Sequence, residues 1–150
     1  MRISRRTMLL APVALGLTAA CGRAQAAQPI EVTKTPTCGC CGLWVDHLRA
    51  AGFEVRVTDV ADLTPVARRL GVPDDLRSCH TGAVAGYALE GHVPAADIRR
   101  LLAERPAEAA GLAVPGMPMG SPGMDQSGHR EPYATLLFTR DGRRRVFATH

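Results

Sequence analysis

The feature that most constrains this chain is a group of three cysteines at the junction of a strand and a helix. Ile30 to Thr35 alternates apolar and polar side chains as a strand does, Pro36-Thr37 interrupts it, and Cys38-Gly39-Cys40-Cys41-Gly42 follows. Beyond Gly42 the pattern becomes helical, with Trp44, Leu48 and Ala51 on one face and Gly52 as the stop. The first turn of a helix presents unpaired N–H groups that favour anions, so thiols there ionise more readily than free cysteine. Thiolates of this kind serve as redox nucleophiles or as soft-metal ligands.

The remaining elements follow from pattern and punctuation. Phe53, Val55 and Val57 alternate with Glu54, Arg56 and Thr58, which predicts a half-buried second strand. Thr64-Pro65 reads as an N-cap and a first-turn proline, with Val66 and Leu70 inward and Gly71 closing that helix. Leu76 to Thr81 is expected as a loop, and Ala83–Ala85 and Tyr87–Glu90 as short strands around Gly86. Pro94 opens a third helix, with Ile98, Leu101 and Leu102 inward and Pro106 as the stop. The stretch 111–131 is rich in Gly, Pro and Ser and is expected as a loop. Asp141-Gly142 between Tyr133–Arg140 and Arg143–Ala148 predicts a hairpin with a type I′ turn. The order β-α-β-α-β-β-α, with a right-handed crossover joining two parallel strands and cysteines at the first strand–helix junction, predicts an α/β chain of thioredoxin-like fold. The hairpin is then a C-terminal extension.

In that fold the loop before the third strand faces the cysteine corner. A thioredoxin carries a cis-proline there, and this chain carries Cys79-His80. The fourth strand ends near the same edge and brings Glu90-Gly91-His92 close. Four sulfurs, from Cys38, Cys40, Cys41 and Cys79, and the imidazoles of His80 and His92 would then converge. Dithiol exchange needs only two sulfurs, whereas a soft metal ion or small cluster uses all of them. Adjacent Cys40 and Cys41 are awkward on one tetrahedral ion and easier to place when thiolates bridge several, which points to a polynuclear Cu(I)-type site. Three alternatives stay open: a thiol–disulfide oxidoreductase using Cys38 and Cys41, two structural disulfides in an exported domain, and a zinc site. Met117, Met119 and Met124 lie among Gly, Pro and Ser, and their thioethers suit Cu(I) where thiols are oxidised. The same methionines also fit as contacts that clamp a loop onto the domain. His47 fits a structural or solvated place in the first helix, and His129 and His150 are peripheral.

Residues 1–26 read as a cleaved export signal. Arg2, Arg5 and Arg6 precede an uncharged, largely apolar run from Met8 to Ala20, too short to span a bilayer comfortably, and Ala24-Gln25-Ala26 supplies a cleavage site. Ser4-Arg5-Arg6-Thr7-Met8-Leu9 is of twin-arginine type, with an ordinary secretion signal as the alternative. Lipid anchoring at Cys21 is disfavoured because Thr18 stands where a lipobox has Leu. The domain expected to fold is 27–150, in the periplasm, without a transmembrane segment. The chain has 18 basic and 14 acidic residues, and four of the basic ones, Arg2, Arg5, Arg6 and Arg23, lie in the signal with no acidic residue beside them. The whole positive excess leaves with that segment, and with it the electrostatic case for nucleic acid. Arg143-Arg144-Arg145 reads as a solvated part of the hairpin.

Several of these segments occur together in one known family. Thr37-Cys38-Gly39-Cys40-Cys41 with Trp44, then Ser78-Cys79-His80-Thr81, Gly86-Tyr87, Glu90-Gly91-His92-Val93-Pro94, 111–118 and 120–124 resemble the CopG-like family of small periplasmic metal-binding proteins. The resemblance runs from about Glu31 to Phe147. It implies a thioredoxin-like fold, a part in copper resistance, a multinuclear copper site built on the cysteines, and copper redox interconversion. Copper ions, and other periplasmic copper-handling proteins, are the partners it suggests.

Overall fold

The computed structural model describes residues 28–125 and 128–150; the expected export segment and Cys21 lie outside the described residues. The elements are β1 (Ile30–Lys34), α1 (Gly39–Ala50), β2 (Val55–Asp59), α2 (Thr64–Arg69), a 3-10 turn (Asp74–Leu76), β3 (His80–Val84), β4 (Tyr87–Gly91), α3 (Ala95–Glu104), β5 (Ala109–Val114), β6 (Ala134–Thr139) and β7 (Arg144–Thr149). The strands form one mixed sheet in the order β2-β1-β3-β4-β5-β6-β7. β1–β2 and β4–β5 are parallel, and every other neighbouring pair is antiparallel. No helix among the described residues is long and apolar enough to cross a membrane.

Strand alternation divides the core between the two sheet faces. Leu89, Leu112 and Leu137 join Ile30 and Val32 under α1 and α3, where Trp44, Val45, Leu48, Ile98 and Leu101 are buried. Their neighbours Ala88, Ala113 and Phe138 point the other way, toward Ala67, Val72 and Leu76 on and after α2. Each large side chain buried in full contributes about 1.5–3 kcal/mol relative to exposure.

Several expectations from the sequence need correction. The segment expected to begin a loop at Gly111 is instead the end of β5, whose six residues are all buried. It is a short run of small apolar residues between β4 and β6, and Gly111 is required there. A Cβ at Gly111 would lie 2.2 Å from the Ala88 carbonyl oxygen of β4. Three strands, β5, β6 and β7, therefore follow α3 in the same sheet, where a hairpin alone was expected. β3 begins at His80, which pairs with Lys34, so His80 and Thr81 are strand residues rather than loop residues. β2 begins at Val55 and buries only that residue; as the sheet's edge strand it leaves Val57 exposed. Thr64 is not the cap of α2: Leu63 holds that position, and Asp62 Oδ1 accepts the Thr64 N–H at 2.8 Å.

The type I′ turn expected at Asp141-Gly142 is a bulged loop, and a type I′ turn joins β3 to β4. Between β3 and β4 both Ala85 (φ 50°) and Gly86 (φ 85°) are left-handed, which is the type I′ geometry. At the β6–β7 turn Gly142 is left-handed and Asp141 is not. Gly142 N donates to the Thr139 carbonyl and Thr139 N to the Arg143 carbonyl, a three-residue loop with a bulge at glycine. Arg143, Arg144 and Arg145 each meet a carboxylate there, on Asp141, Asp75 and Glu108.

Candidate metal centre

Three pieces of chain meet at one corner of the sheet. Cys38 is the N-cap of α1 and makes no side-chain cap bond, so the first turn places Cys40 and Cys41 with their sulfurs beside it. Cys38 and Cys41 are joined by a disulfide, with Cα atoms 5.4 Å apart, while Cys40 and Cys79 are free. Cys40 Sγ lies 3.6 Å from Cys38 Sγ. Cys41 Sγ lies 3.4 Å from the Cys79 carbonyl oxygen, a contact that brings the α1 corner against the residue preceding β3. The four cysteine sulfurs all lie within 4.8 Å of one another.

The second group is Cys79, His80 and His92, whose ligand atoms also lie within 4.8 Å of each other. His92 Nε2 is 3.2 Å from Cys79 Sγ, and His80 Nδ1 is 3.4 Å from the same sulfur. His92 follows β4, and its Nδ1–H donates to the Pro122 carbonyl at 2.7 Å. That bond selects the tautomer whose Nε2 lone pair faces the sulfur, the arrangement by which protein backbone orients a metal-binding imidazole. His80 is fully buried, tilted against the Trp44 ring at 4.2 Å, and its Nε2 has no hydrogen-bond partner among the described residues. Trp44 is itself fixed by an indole N–H donated to the Val93 carbonyl at 2.9 Å.

Burial sets the protonation states. It pushes the Cys79 thiol up to about 12, with the neighbouring Cys40 adding to the effect. It drives His80 down to about 3, helped by His92, and lowers His92 as well, where the Pro122 carbonyl partly offsets it. Neutral imidazoles keep lone pairs for a metal. A cation at Cys79 has to displace this tightly held proton, and its charge then offsets the cost of burying the thiolate. The donor set is soft sulfur with borderline nitrogen, which is compatible with metal binding.

The methionine segment closes over this corner. Gly123 (φ 87°) lies so close to α1 that a Cβ there would sit 2.8 Å from the Cys40 carbonyl and 2.9 Å from Trp44 N. Pro122 and Met124 flank that contact. Met117 is exposed and left-handed at the tip of the loop. Met119 and Glu131 exchange two hydrogen bonds that close the loop's base. His47 accepts the Ala95 N–H at Nε2 (3.1 Å) and so joins α1 to α3, which is the structural role. His150 lies 2.9 Å from Asp97 and stacks on Tyr133, and His129 lies 3.9 Å from Glu131, so both are engaged outside the two groups. Sequence reasoning missed the Pro122 carbonyl and the Trp44 ring as partners of the histidines. A backbone oxygen carries no residue signature, and the nearest cue was the Gly beside it.

Comparison with known proteins bears on this corner. A family described as "Protein of unknown function, DUF411" matches residues 76–124, which include Cys79, His80, His92 and the methionines. No protein with a curated description matches the chain. Two solved structures, called copper resistance protein copG form 1 and form 2, are each 45% identical to it. Each match covers 83% of this chain and 98% of the other, with a TM-score of 0.77.

Proposed function

Because the chain belongs to the CopG-like family, we propose that it is an exported copper-binding protein that holds more than one Cu(I) ion for copper resistance. Once the Cys38–Cys41 disulfide is reduced, Cys38, Cys40, Cys41 and Cys79 supply thiolates, His92 and His80 supply imidazoles, and Met117, Met119 and Met124 supply thioethers from the loop. The observation that carries this reading is four cysteine sulfurs within 4.8 Å of one another, sharing Cys79 with two neutral histidines. Adjacent thiolates that bridge ions account for four sulfurs at one corner better than a single tetrahedral ion does. Redox cycling of the metal balances when two thiolates close to a disulfide as two Cu(II) become two Cu(I). The strand order β2-β1-β3-β4, with α1 and α3 covering one face, supports a thioredoxin-like unit to which β5–β7 are added. Residues 1–26 direct the chain to the periplasm by the twin-arginine route, where it exchanges copper with other copper-handling proteins.

Anaerobic titration of the reduced protein with Cu(I), against a strong chelator, tests the reading. More than one tightly bound Cu(I) per chain is expected, and fewer than one sinks it. The second reading, a thiol–disulfide oxidoreductase using Cys38 and Cys41, is favoured by their disulfide at the start of α1. Efficient disulfide reduction by the metal-free protein, retained in Cys40→Ala, would select it.

A further inference from the structure

We propose that Glu90 is the positioning residue of the metal centre, holding Cys79 and His80 in place through the residues on either side of them. Glu90 is 1% exposed, and no ion pair among the described residues reaches it. A buried carboxylate persists only where hydrogen bonds replace its water. Its Oε1 accepts the Ser78 N–H at 2.6 Å, and its Oε2 accepts the Thr81 hydroxyl at 2.7 Å. Ser78 immediately precedes Cys79, and Thr81 immediately follows His80. One side chain therefore pins both ends of the two-residue segment that carries a sulfur and an imidazole.

The backbone makes this clamp stiff. Glu90 and Thr81 are direct cross-strand partners in β3–β4. Next along β4, Gly91 presses on the same loop: a Cβ there would lie 2.8 Å from Ser78 Oγ. His92 follows, so the clamp also fixes the distance between His92 and Cys79. An apolar residue there would leave the Ser78 N–H and the Thr81 hydroxyl without these partners, so the clamp needs the two hydrogen bonds and not the charge. Glutamine tests that distinction. Its Oε1 still accepts from Ser78 N, and its amide N–H donates to a Thr81 hydroxyl turned to accept.

The test uses reduced, metal-free protein and follows alkylation of Cys79 by iodoacetamide, resolved by peptide mapping, with Cys40 as internal reference. Glu90→Ala is expected to raise the Cys79 labelling rate severalfold while Cys40 is unchanged, and Glu90→Gln to match the parent. The copper arm rests on the function proposed above: Cu(I) affinity should fall about 10–100-fold in Glu90→Ala and recover in Glu90→Gln. Equal Cys79 labelling in Glu90→Ala and the parent overturns the proposal. So does a Glu90→Gln that behaves as Glu90→Ala, since that assigns the effect to charge. If Glu90→Ala does not fold, Thr81→Val carries the same expectation, with Thr81→Ser as its rescue. A parent that binds no copper removes the copper reading and leaves the labelling result intact.

Discussion

Replacing Gly123 with Ala should detach the methionine segment from α1 without unfolding the domain. Two costs combine at that position. The left-handed conformation (φ 87°) penalises an L side chain by about 1–2 kcal/mol. The new Cβ would also lie 2.8 Å from the Cys40 carbonyl, 2.9 Å from Trp44 N and 3.3 Å from Leu43 Cβ. Two of these atoms are backbone, and α1 cannot retreat because Trp44 and Leu48 are wholly buried. The loop therefore moves and takes the Pro122 carbonyl away from His92. Thermal unfolding should fall by about 3–10 °C, the range for a loss of this size in a small domain. Cu(I) affinity, measured by chelator competition, should fall about 10–100-fold, as when a ligand's orienting partner is lost. Gly71→Ala is the control: its φ is also left-handed, at 73°, and a Cβ there meets nothing within 4 Å. It should show the thermal loss without the copper loss. Equal copper affinity in the two variants would refute the idea that the loop's close approach orients His92.

Two more outcomes follow from local geometry and charge. Ala85→Asn should stabilise the protein by about 1 kcal/mol, because Asn tolerates the left-handed position of the β3–β4 turn better than Ala, and differential scanning calorimetry should record a higher melting temperature. Acid should destabilise the metal-free protein through His80: burial holds it neutral down to about 3 when folded, while the unfolded chain takes up its proton near 6.5. Stability is therefore full above pH 6.5 and is lost as pH falls toward 3, at up to about 1.4 kcal/mol per pH unit for one group. Denaturant titrations across that window should show the slope flattened in His80→Gln; an unchanged slope would contradict the assignment.

What the sequence could and could not reveal has physical causes. The cysteine corner, the SCHT segment and His92 were legible because spacing alone placed Cys38–Cys41 at a helix start, and topology folded the other two back onto it. β5 was not, since Ala109–Val114 is a short run of small residues that ends at a Gly/Pro-rich stretch, and its strand form depends on Gly111 lying against β4. The β6–β7 turn differs from expectation because Asp-Gly suits both a type I′ turn and a bulged three-residue loop; the left-handed Ala85, for which the sequence offered no expectation, follows from the two-residue connection that Val84–Tyr87 pairing requires. Edge exposure of Val57 depends on strand order, which alternation along one strand does not encode. Glu90 stood inside a recognised motif, yet its role needed the two distances to Ser78 and Thr81.

The central claim, a thiolate site that bridges several Cu(I) ions, is tested most directly by X-ray absorption spectroscopy of the Cu(I)-loaded protein. A first shell dominated by sulfur together with a copper–copper scattering contribution that disappears in Cys40→Ala is the expected result. A spectrum of isolated copper ions with no copper–copper contribution, unchanged by Cys40→Ala, would contradict the account.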